Sequence, residues 1–596
     1  MANETPAASY DVAILGGGLA GLTLALQLKQ RRPETSIFLA EKRPGPAPEA
    51  AFKVGESTVE VSSHYFGTVL GLHDHLEKDQ LHKFGLRWWF PAGDNRDLGQ
   101  RIERGINRPL QHPSYQLDRG RFENFLAEKV VEAGVDRFGG CRVQDVELAG
   151  DRHQITGTDL FGGRFEDYDP TADRHRVTFT LNDETLTTEA RWVVDATGRS
   201  FTLKKRLGLL EDNGHNVNSA WFRLAGGLDI EDWADPDDEE FFARMPERGM
   251  RKFSTNHLCG TGYWVWLIPL SSGPISIGIV ADPRFHPFEE MNTLEAALQW
   301  IREHEPQLGE SLDGRLDQVE DFLKVENFSY GCKQYFSGSD RWCLVGEAGA
   351  FLDPFYSPGS DFIAMSNTFT TDLVTRSLDG EDVKERGKAF NDLYGSTYSV
   401  YLTQYETQYE FWGNPLVMTV KICANNILYW GSVCLLFFHH KLTDTEFMAA
   451  VRPDLERIWG ITRRLEMFYR EWNAIEAREW RRAIVPTAAF PGMFQRHLDM
   501  AGGFDDATLK SKLASTADLM EAMAVIVFHR AAQALPDAPG EDEKINPYAI
   551  SLDPDRWQAD GMLNGEGYSL VEARETDAQG IENLFMEAVA QPAQPA

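Results

Sequence analysis

Three glycines near the start of the chain constrain its fold more than any other feature. Gly16, Gly18 and Gly21 form a G-x-G-x-x-G motif between an apolar strand predicted at 10–15 and a helix predicted at 22–30. The first glycine permits a tight turn, the second lets the backbone approach a pyrophosphate, and the third lets helix and strand pack closely. The helix N-terminus supplies N–H donors and the positive end of a dipole. This order of elements predicts the dinucleotide-binding βαβ unit of an α/β protein.

An acidic residue completes this first unit. A second apolar strand, predicted at 37–40, ends at Glu41. A carboxylate at this point of a βαβ unit can accept hydrogen bonds from an adenosine ribose. Strand, glycines, helix, strand and acid therefore occur in the order that nucleotide binding requires.

Two later segments favour FAD over NAD as the cofactor. DATGRS, which begins at Asp195, and GEAGAFLDP, which begins at Gly346, each follow an apolar strand, as in FAD folds that bind the cofactor with two parts of the chain. Arg119 precedes a predicted helix, as an arginine does in class A flavin monooxygenases. No second glycine motif for NAD(P)H is evident. The further cofactor-binding candidates are Arg119, Asp195, Gly346, Asp353 and Gly359.

Charge and cysteine usage exclude several other functions. The 596 residues include 59 basic and 91 acidic side chains, a formal charge of −32, which opposes binding to nucleic acid or to an anionic membrane. The six cysteines are widely spaced, so reduced thiols in a cytoplasmic protein without a metal site are expected.

The longest apolar run, 427–438, is short for a bilayer span. It predicts a buried helix or a wall of the substrate site, with membrane-surface contact as the alternative.

Two further motifs resemble those of the flavin-dependent halogenases of the tryptophan type. The segment from Lys53 to Thr58, KVGEST, is similar to their G-E-[AS]-T segment, and Trp264, Trp266 and Pro269 fit their W-x-W-x-I-P signature. The resemblance covers about residues 8–380 and implies a fold like that of class A flavin monooxygenases. In this family the tryptophans are thought to wall the flavin side and to obstruct ordinary monooxygenation.

The resemblance also implies a reaction. Family members use reduced FAD and O₂ to oxidise halide, and the hypohalous acid travels to a lysine that delivers or orients it. Lys83 fits the position of that lysine, with Lys53 and Lys78 as competitors. A desolvated ammonium can hydrogen-bond hypohalous acid or, when deprotonated, form a haloamine.

The flavin-side loop departs from the family pattern. Ser357, Gly359 and Ser360 occupy the segment that offers N–H groups to halide, but Pro358 has no N–H to donate. Tyr356 stands where tryptophan halogenases have a glutamate, so free tryptophan is not the expected substrate. A halide-independent flavin hydroxylase or oxidoreductase, and a non-catalytic flavoprotein, remain alternatives.

These observations predict an α/β protein with a Rossmann-like FAD-binding domain, an antiparallel substrate sheet and a helical C-terminal region. The expected parts are 8–205 and 326–385 for FAD, 206–325 for the substrate sheet, and 386–596 as a helical substrate cap. The expected partners are a separate flavin reductase, halide and a small-molecule or carrier-bound aromatic substrate, in secondary metabolism. A homodimer stays open.

Overall fold

The computed structural model describes residues 5–50, 53–150, 174–476, 484–533, 535–576, 580–582 and 584. The chain forms two compact units. The first consists of Met1–Gln80, Leu117–Gly214 and Ser329–Tyr398, and the second of Leu81–Gln116, His215–Phe328 and Ser399–Ala596.

The strands of the described part are numbered in chain order. They are β1 (Ser9–Leu15), β2 (Ile37–Glu41), β3 (Leu81–Lys83), β4 (Leu86–Phe90), β5 (Ile102–Gly105), β6 (Ser114–Gln116), β7 (Asp136–Gly139), β8 (Arg142–Glu147), β9 (His175–Leu181), β10 (Glu184–Asp195), β11 (Leu210–Glu211), β12 (Asn218–Leu224), β13 (Thr255–Gly260), β14 (Tyr263–Pro269), β15 (Ile275–Ala281), β16 (Val319–Val325), β17 (Gly331–Cys332), β18 (Phe336–Ser337), β19 (Trp342–Leu344) and β20 (Ile484–Pro486).

The α-helices are numbered in the same way. They are α1 (Leu19–Arg31), α2 (Glu60–His64), α3 (His73–Asp79), α4 (Arg119–Glu132), α5 (Thr202–Arg206), α6 (Glu239–Ala243), α7 (Leu294–His304), α8 (Pro306–Leu312), α9 (Gly359–Leu378), α10 (Lys384–Thr403), α11 (Pro415–Leu428), α12 (Leu435–Phe438), α13 (Thr445–Ile475), α14 (Pro491–Asp499), α15 (Asp506–Ala532), α16 (Pro554–Ala559) and α17 (Leu570–Glu575).

The first unit is built on a sheet whose central strands are parallel. Their spatial order is β19-β10-β1-β2-β7, with β18 antiparallel at one edge and a ribbon of β8 and β9 attached to β10. The chain builds outward from β1, first to β2 and β7 and then, on the other side, to β10 and β19. The carboxyl end of β1 is therefore a topological switch point, where ligands bind in open sheets of this kind.

The second unit contains another eight-stranded sheet, in the order β16-β12-β15-β14-β13-β4-β5-β20. Successive antiparallel pairings join β13, β14 and β15, within the segment predicted as an antiparallel sheet. The region after 386 is largely helical, and its one described strand, β20, pairs in parallel with β5. Because β20 is only three residues long, it shows no hydrophobic alternation from which the sequence alone could predict a strand.

The two faces of this second sheet differ. One face packs the side chains of Tyr263, Val265 and Leu267 from β14 against apolar residues of α7 and α8, including Trp300 and Leu308. Side chains alternate along a strand. Trp264 and Trp266 therefore lie on the opposite face, away from this core.

The apolar run at 427–438 belongs to a longer helical stretch, Pro415–Phe438, that contains a π-helical turn at Tyr429–Cys434. It is the one stretch in the described part of the chain that is long and apolar enough to cross a membrane, and 89% of its most apolar window is buried in the protein. A Cβ atom at Gly431 would lie 2.6 Å from Thr516 on α15, so the two helices approach closely there. The run is thus a buried helix, as predicted.

A buried ion pair makes the second unit sensitive to single substitutions. Arg101 donates to Glu305 at 2.6 Å, and both side chains are 2% exposed. We predict that Arg101→Met lowers the free energy of unfolding by about 3–5 kcal/mol, because Glu305 is left buried without its cation. Chemical denaturation with fluorescence detection measures this change. Arg96→Met is the matched control, since Arg96 pairs with Glu310 on the surface and its loss should cost at most about 1 kcal/mol. Equal effects of the two substitutions would contradict the prediction.

Candidate active site

Backbone contacts at the end of β1 explain two of the three motif glycines. Gly16 has φ +114°, and a Cβ atom there would lie 2.3 Å from the carbonyl oxygen of Ala196. A Cβ atom at Gly21 would lie 2.0 Å from the carbonyl oxygen of Gly16. Helix α1 begins at Leu19, before the predicted start at 22, because Gly21 is needed inside the helix for this approach. The glycine loop thus joins β1, α1 and the turn after β10.

The middle glycine faces open space instead. A Cβ atom at Gly18 would have one described heavy atom within 4 Å, the Nζ of Lys53 at 3.8 Å. Gly18 has an extended backbone with φ −84°, which any residue can adopt. The fold therefore does not require glycine here. The position fits a cradle for a pyrophosphate at the N-terminus of a helix, as the motif predicts.

The acid at the end of β2 contacts this loop. The two carboxylate oxygens of Glu41 accept hydrogen bonds from the N–H groups of Gly17 at 3.0 Å and Arg43 at 2.8 Å. Each carboxylate oxygen can accept a second bond. Glu41 thus holds the glycine loop and keeps acceptor capacity for a ribose hydroxyl.

Two cations and an acid form a cluster beside Gly18. Lys53 pairs with Glu123, and Arg119 donates to the same carboxylate at 2.7 Å and to the carbonyl oxygen of Val54 at 2.6 Å. Burial lowers the pKa of Lys53, although Glu123 opposes this effect. Burial would raise the pKa of Glu123, but Arg119 and Lys53 outweigh it and the pKa is lowered. The cluster holds two positive side chains against one negative one at the predicted phosphate position.

The sequence suggests for Lys53 only the role of an alternative halogenating lysine. The structure places it at the glycine loop, because the segment before Gly55 lies against α4. A Cβ atom at Gly55, which has φ +87°, would lie 2.8 Å from a guanidinium nitrogen of Arg119. This long-range contact left no local signal in the sequence.

The DATGRS segment forms a rigid turn after β10. The buried carboxylate of Asp195 accepts bonds from the N–H and Oγ1 of Thr197 at 2.9 and 2.6 Å and from the N–H of Leu203 at 2.7 Å. Burial raises the pKa of Asp195, while these bonds lower it. The observed role of Asp195 is to fix the turn that leads into α5 and abuts the glycine loop through Ala196.

The third loop, after β19, is supported by a buried lysine. Lys204 donates to the carbonyl oxygen of Gly349 at 2.6 Å and lies 4.4 Å from the ring centroid of Tyr330. Burial lowers the pKa of Lys204 to about 8. Gly346 has φ +55°, and burial raises the pKa of the neighbouring Glu347 although Arg199, Arg119 and Lys53 act in the other direction. These side chains fix the loop that the sequence assigns to the flavin.

The GEST segment and the predicted halide loop meet in the first unit. The Oγ of Ser357 donates to the Oγ of Ser57 at 3.0 Å, and Asp361 accepts from the N–H of Ser62 at 2.8 Å. Ser357 has φ +58° and ψ 39°, a left-handed conformation that is costly for a residue with a side chain. Asp353 caps the preceding turn by accepting from the N–H of Phe355 at 3.0 Å. Two motifs 300 residues apart therefore form one loop cluster.

Pro358 is the N-cap of helix α9, which begins at Gly359. The first N–H groups of a helix have no acceptor within the helix. Pro358 lacks such a group, so the donors available at this end are the N–H groups of Gly359 and Ser360. The loop thus keeps two of the predicted donors for an anion.

The candidate lysines differ in their surroundings. Lys83 ends β3 in the second unit and is 8% exposed. The side chain of Lys78 is 73% exposed, and Lys53 pairs with Glu123. Of the three candidates, Lys83 is thus the one that is buried and lies outside the glycine-loop cluster.

A row of aromatic rings crosses the face of the second sheet that lies opposite its core. This aromatic row consists of Trp221, Trp266, Trp264, His257 and Trp88, which lie on β12, β14, β13 and β4. Successive ring centroids are 6.4, 5.8, 5.1 and 5.6 Å apart. A Cβ atom at Gly278 would lie 2.1 Å from the ring of Trp266, so this glycine lets the indole lie across β15.

The motif tryptophans are therefore packed side chains. Trp264 is 1% exposed and donates from Nε1 to the hydroxyl of Tyr409 at 3.1 Å, and Trp266 is 5% exposed and donates to Ser276 at 3.1 Å. The ring of Tyr409 stacks on Trp412 at 3.8 Å. Pro269 ends strand β14. Aromatic side chains from the helical region thus cover part of the row.

Comparison with known proteins identifies the family. No family model matches the chain. The flavin-dependent halogenase chlA of Dictyostelium discoideum is 28% identical over 477 residues, 75% of each chain. The 1H-pyrrole-2-carbonyl-[peptidyl-carrier protein] chlorinase of Pseudomonas fluorescens is 26% identical over 59% of this chain and 72% of its own. The chain is a homologue of the flavin-dependent halogenases. The predicted family and its enzyme class, the FAD-dependent oxidoreductases, are confirmed by these relatives.

Solved structures share the fold. The halogenase PltM superposes with a TM-score of 0.57 at 17% identity, covering 86% of this chain and 97% of its own. The flavin-dependent brominase Bmp2 gives a TM-score of 0.51 at 20% identity, over 69% and 91% of the two chains. The shared fold combines α/β sheets with many helices.

The two glycines at the loop should respond differently to substitution. We predict that Gly18→Val folds but loses FAD, because the added side chain fills space that the fold leaves open. Gly21→Ala should instead destabilise the protein, because its Cβ atom meets the Gly16 carbonyl. Retained FAD is measured by absorbance after gel filtration, and stability by thermal unfolding of FAD-free protein. Full FAD occupancy in Gly18→Val, or an unchanged melting temperature in Gly21→Ala, would contradict the prediction.

Proposed function

We propose that this protein is an FAD-dependent halogenase of an electron-rich aromatic compound. The observation that carries the proposal is the hydrogen bond between Ser57 and Ser357, which joins the GEST segment to the halide loop. Both segments belong to the unit that also holds the glycine loop. The sequence similarity to flavin-dependent halogenases supports the same reaction.

The first unit is the FAD-binding part, and its sheet is of the Rossmann type. The open space at Gly18 and the cluster of Lys53 and Arg119 suit a pyrophosphate, while Glu41 suits the adenosine ribose. The loops at Asp195, Gly346 and Asp353 would hold the rest of the cofactor. Bound FAD supplies the redox chemistry that activates O₂. In the absence of a nicotinamide motif, reducing equivalents come from a separate flavin reductase.

The helix start at Gly359 is the halide site. The N–H groups of Gly359 and Ser360 and the hydroxyl of Ser357 can donate to chloride or bromide. The positive end of the helix dipole favours an anion there. Pro358 removes one donor, which specifically favours the alternative that the enzyme hydroxylates without halide.

Lys83 is the residue that receives the oxidised halogen. Its burial fits the role, since an ammonium removed from water can hydrogen-bond hypohalous acid. Hypohalous acid hydrogen-bonded to Lys83 presents an electrophilic halogen to the ring of the substrate. The carbon–halogen bond forms as the oxygen–halogen bond of the acid breaks, the ring loses a proton, and the hydroxide of the acid leaves with a proton as water.

The second unit is the substrate-binding part, with the aromatic row as one wall. Pockets for small molecules are mostly apolar and contain few polar groups. At one end of the row the Nε1 of Trp221 and the Oγ of Ser219 are buried and have no hydrogen-bond partner among the described residues. These groups suit a hydroxyl or carbonyl of a flat aromatic compound. With Tyr356 at the glutamate position, free tryptophan is not the substrate.

The distinction between halogenation and hydroxylation can be measured directly. Enzyme, flavin reductase, NADPH and FAD are incubated with phenols, indoles and pyrroles, with and without bromide. We expect products with the paired isotope peaks of bromine, formed only when the reductase is present. A product that gains only oxygen, unchanged without bromide, would show that the loop at Pro358 no longer holds halide. Rapid NADPH oxidation by the protein alone would contradict the need for a reductase.

Replacement of the proposed halogenating lysine should affect product more than halide oxidation. We predict that Lys83→Met loses most brominated product but still releases hypobromous acid, because the lysine acts after the halide is oxidised. A soluble halogen trap measures the acid and mass spectrometry the product. Lys78→Met, at an exposed lysine, is the control and should resemble the parent protein. Full product formation by Lys83→Met would remove Lys83 from the mechanism.

A further inference from the structure

Five arginines in the described part of the chain are less than 2% exposed, and all belong to the second unit. An arginine cannot be deprotonated under ordinary conditions, so each of them buries a positive charge. Buried charges normally have a partner of opposite sign. Four of the five do; the pairs are Arg87 with Glu103, Arg101 with Glu305, Arg223 with Asp321, and Arg251 with Glu103 and Glu231.

The described partners of the fifth, Arg104, are all neutral. It donates to the carbonyl oxygen of Val485 at 3.0 Å, to the Oγ1 of Thr487 at 3.1 Å and to the Sγ of Cys423 at 3.4 Å. Its Nε has no acceptor, and no carboxylate of a described residue lies within ion-pair distance. Three neutral contacts do not compensate a full charge removed from water. Among the described residues, Arg104 therefore lacks the carboxylate partner that the other four arginines have.

The position of Arg104 connects it to the aromatic row. On β5 it is the register partner of Trp88 on β4, and Trp88 is the end of the row. Residues directly opposite each other in an antiparallel pair lie on the same face, with Cβ atoms about 4.5–5.5 Å apart. The face that would bind an aromatic ring thus ends at the guanidinium of Arg104, whose charge has no carboxylate partner among the described residues.

We propose that Arg104 binds an anionic group of the organic substrate, so that the enzyme acts on an aromatic acid whose ring lies along the aromatic row. This inference deepens the proposed function and rests on it. A guanidinium presents N–H groups in a planar fork that matches a carboxylate, and it uses Nε together with one terminal nitrogen. The unpartnered Nε is the donor that such an anion would take. A halide ion at Arg104 would satisfy the charge too, but it would not use the adjacent rings.

The missing carboxylate makes Arg104 suitable for a test by substitution. Removal of one member of a buried ion pair leaves the partner's charge uncompensated. Removal of Arg104 leaves no carboxylate of a described residue without its cation. Arg104→Met should therefore fold with a melting temperature at or above that of the parent protein. Arg101→Met, which leaves Glu305 unpaired, should melt lower. A melting temperature of Arg104→Met as low as that of Arg101→Met would show that Arg104 is needed for the fold and would count against a ligand role.

The binding experiment compares an acid with its uncharged analogue. FAD-loaded protein is titrated with 4-hydroxybenzoate and with 4-hydroxybenzamide by calorimetry, using the parent protein, Arg104→Met and the surface control Arg96→Met. We expect the parent and the control to bind the acid at least about tenfold more tightly than the amide, as a charge-assisted hydrogen bond provides. In Arg104→Met this ratio should fall to near one. Equal affinities in the parent protein, or a preference that persists in Arg104→Met, would overturn the proposal.

A third series identifies the source of the anion. Bromide is titrated into the same proteins, and its competition with 4-hydroxybenzoate is measured. Weak or no competition supports an organic anion. Tight bromide binding that displaces the acid and disappears in Arg104→Met would overturn the proposal and make Arg104 a halide site. Because these measurements need no turnover, a failure to halogenate any compound would refute the proposed function without changing their outcome. Conversely, loss of the acid preference would leave halogenation of uncharged substrates intact as a hypothesis.

Discussion

The first unit depends on close backbone-to-backbone contacts at the end of β1, where glycines with no side chain lie against neighbouring carbonyl groups. Gly16 and Gly21 let β1, α1 and the turn after β10 meet at distances that no Cβ atom would allow. This approach creates the concave edge of the sheet, and it directs the N–H groups at the start of α1 toward that edge. A Cβ atom at Gly18 would have only the Nζ of Lys53 within 4 Å among the described atoms, so this motif position leaves space for a ligand. Two glycines therefore serve the fold so that the third can serve the cofactor.

The second unit is organised by buried charge. Four of its fully buried arginines are bound to carboxylates. Arg87, Arg101 and Arg251 lie on the core side of the sheet, whereas Arg223, two residues after Trp221 on β12, pairs with Asp321 on the opposite side. Such pairs contribute specificity of arrangement more than net stability. The opposite face carries the indole rings of the aromatic row and, on β12, the Arg223–Asp321 pair. Arg104 lies on this face too, and it differs from Arg223 in having no carboxylate partner among the described residues.

The local parts of the site could be predicted from sequence, and the long-range parts could not. The strands at β1 and β2, the glycine loop and Glu41 follow from a pattern of about thirty residues, since each is fixed by its neighbours in the chain. Helix α1 begins three residues before its predicted start, because glycine usually marks a turn, whereas here tight packing puts Gly21 inside the helix. The cluster of Lys53, Arg119 and Glu123 spans 70 residues, so no local pattern indicates it. The roles of individual site residues in catalysis stay predictions.

The sequence likewise gives the net charge of the chain but not the local charge at a binding site. Composition gives −32 for the whole chain, which argues against anionic partners. That sum describes the surface potential at long range and is screened within about 10 Å at ordinary ionic strength. Binding of a small anion depends on the few groups within that distance. In the cluster beside Gly18, Lys53 and Arg119 share one carboxylate, that of Glu123. Arg104 has no carboxylate partner among the described residues. An acidic protein can therefore repel polyanions from its surface and still bind small anions at buried cations, because the two effects act at different distances.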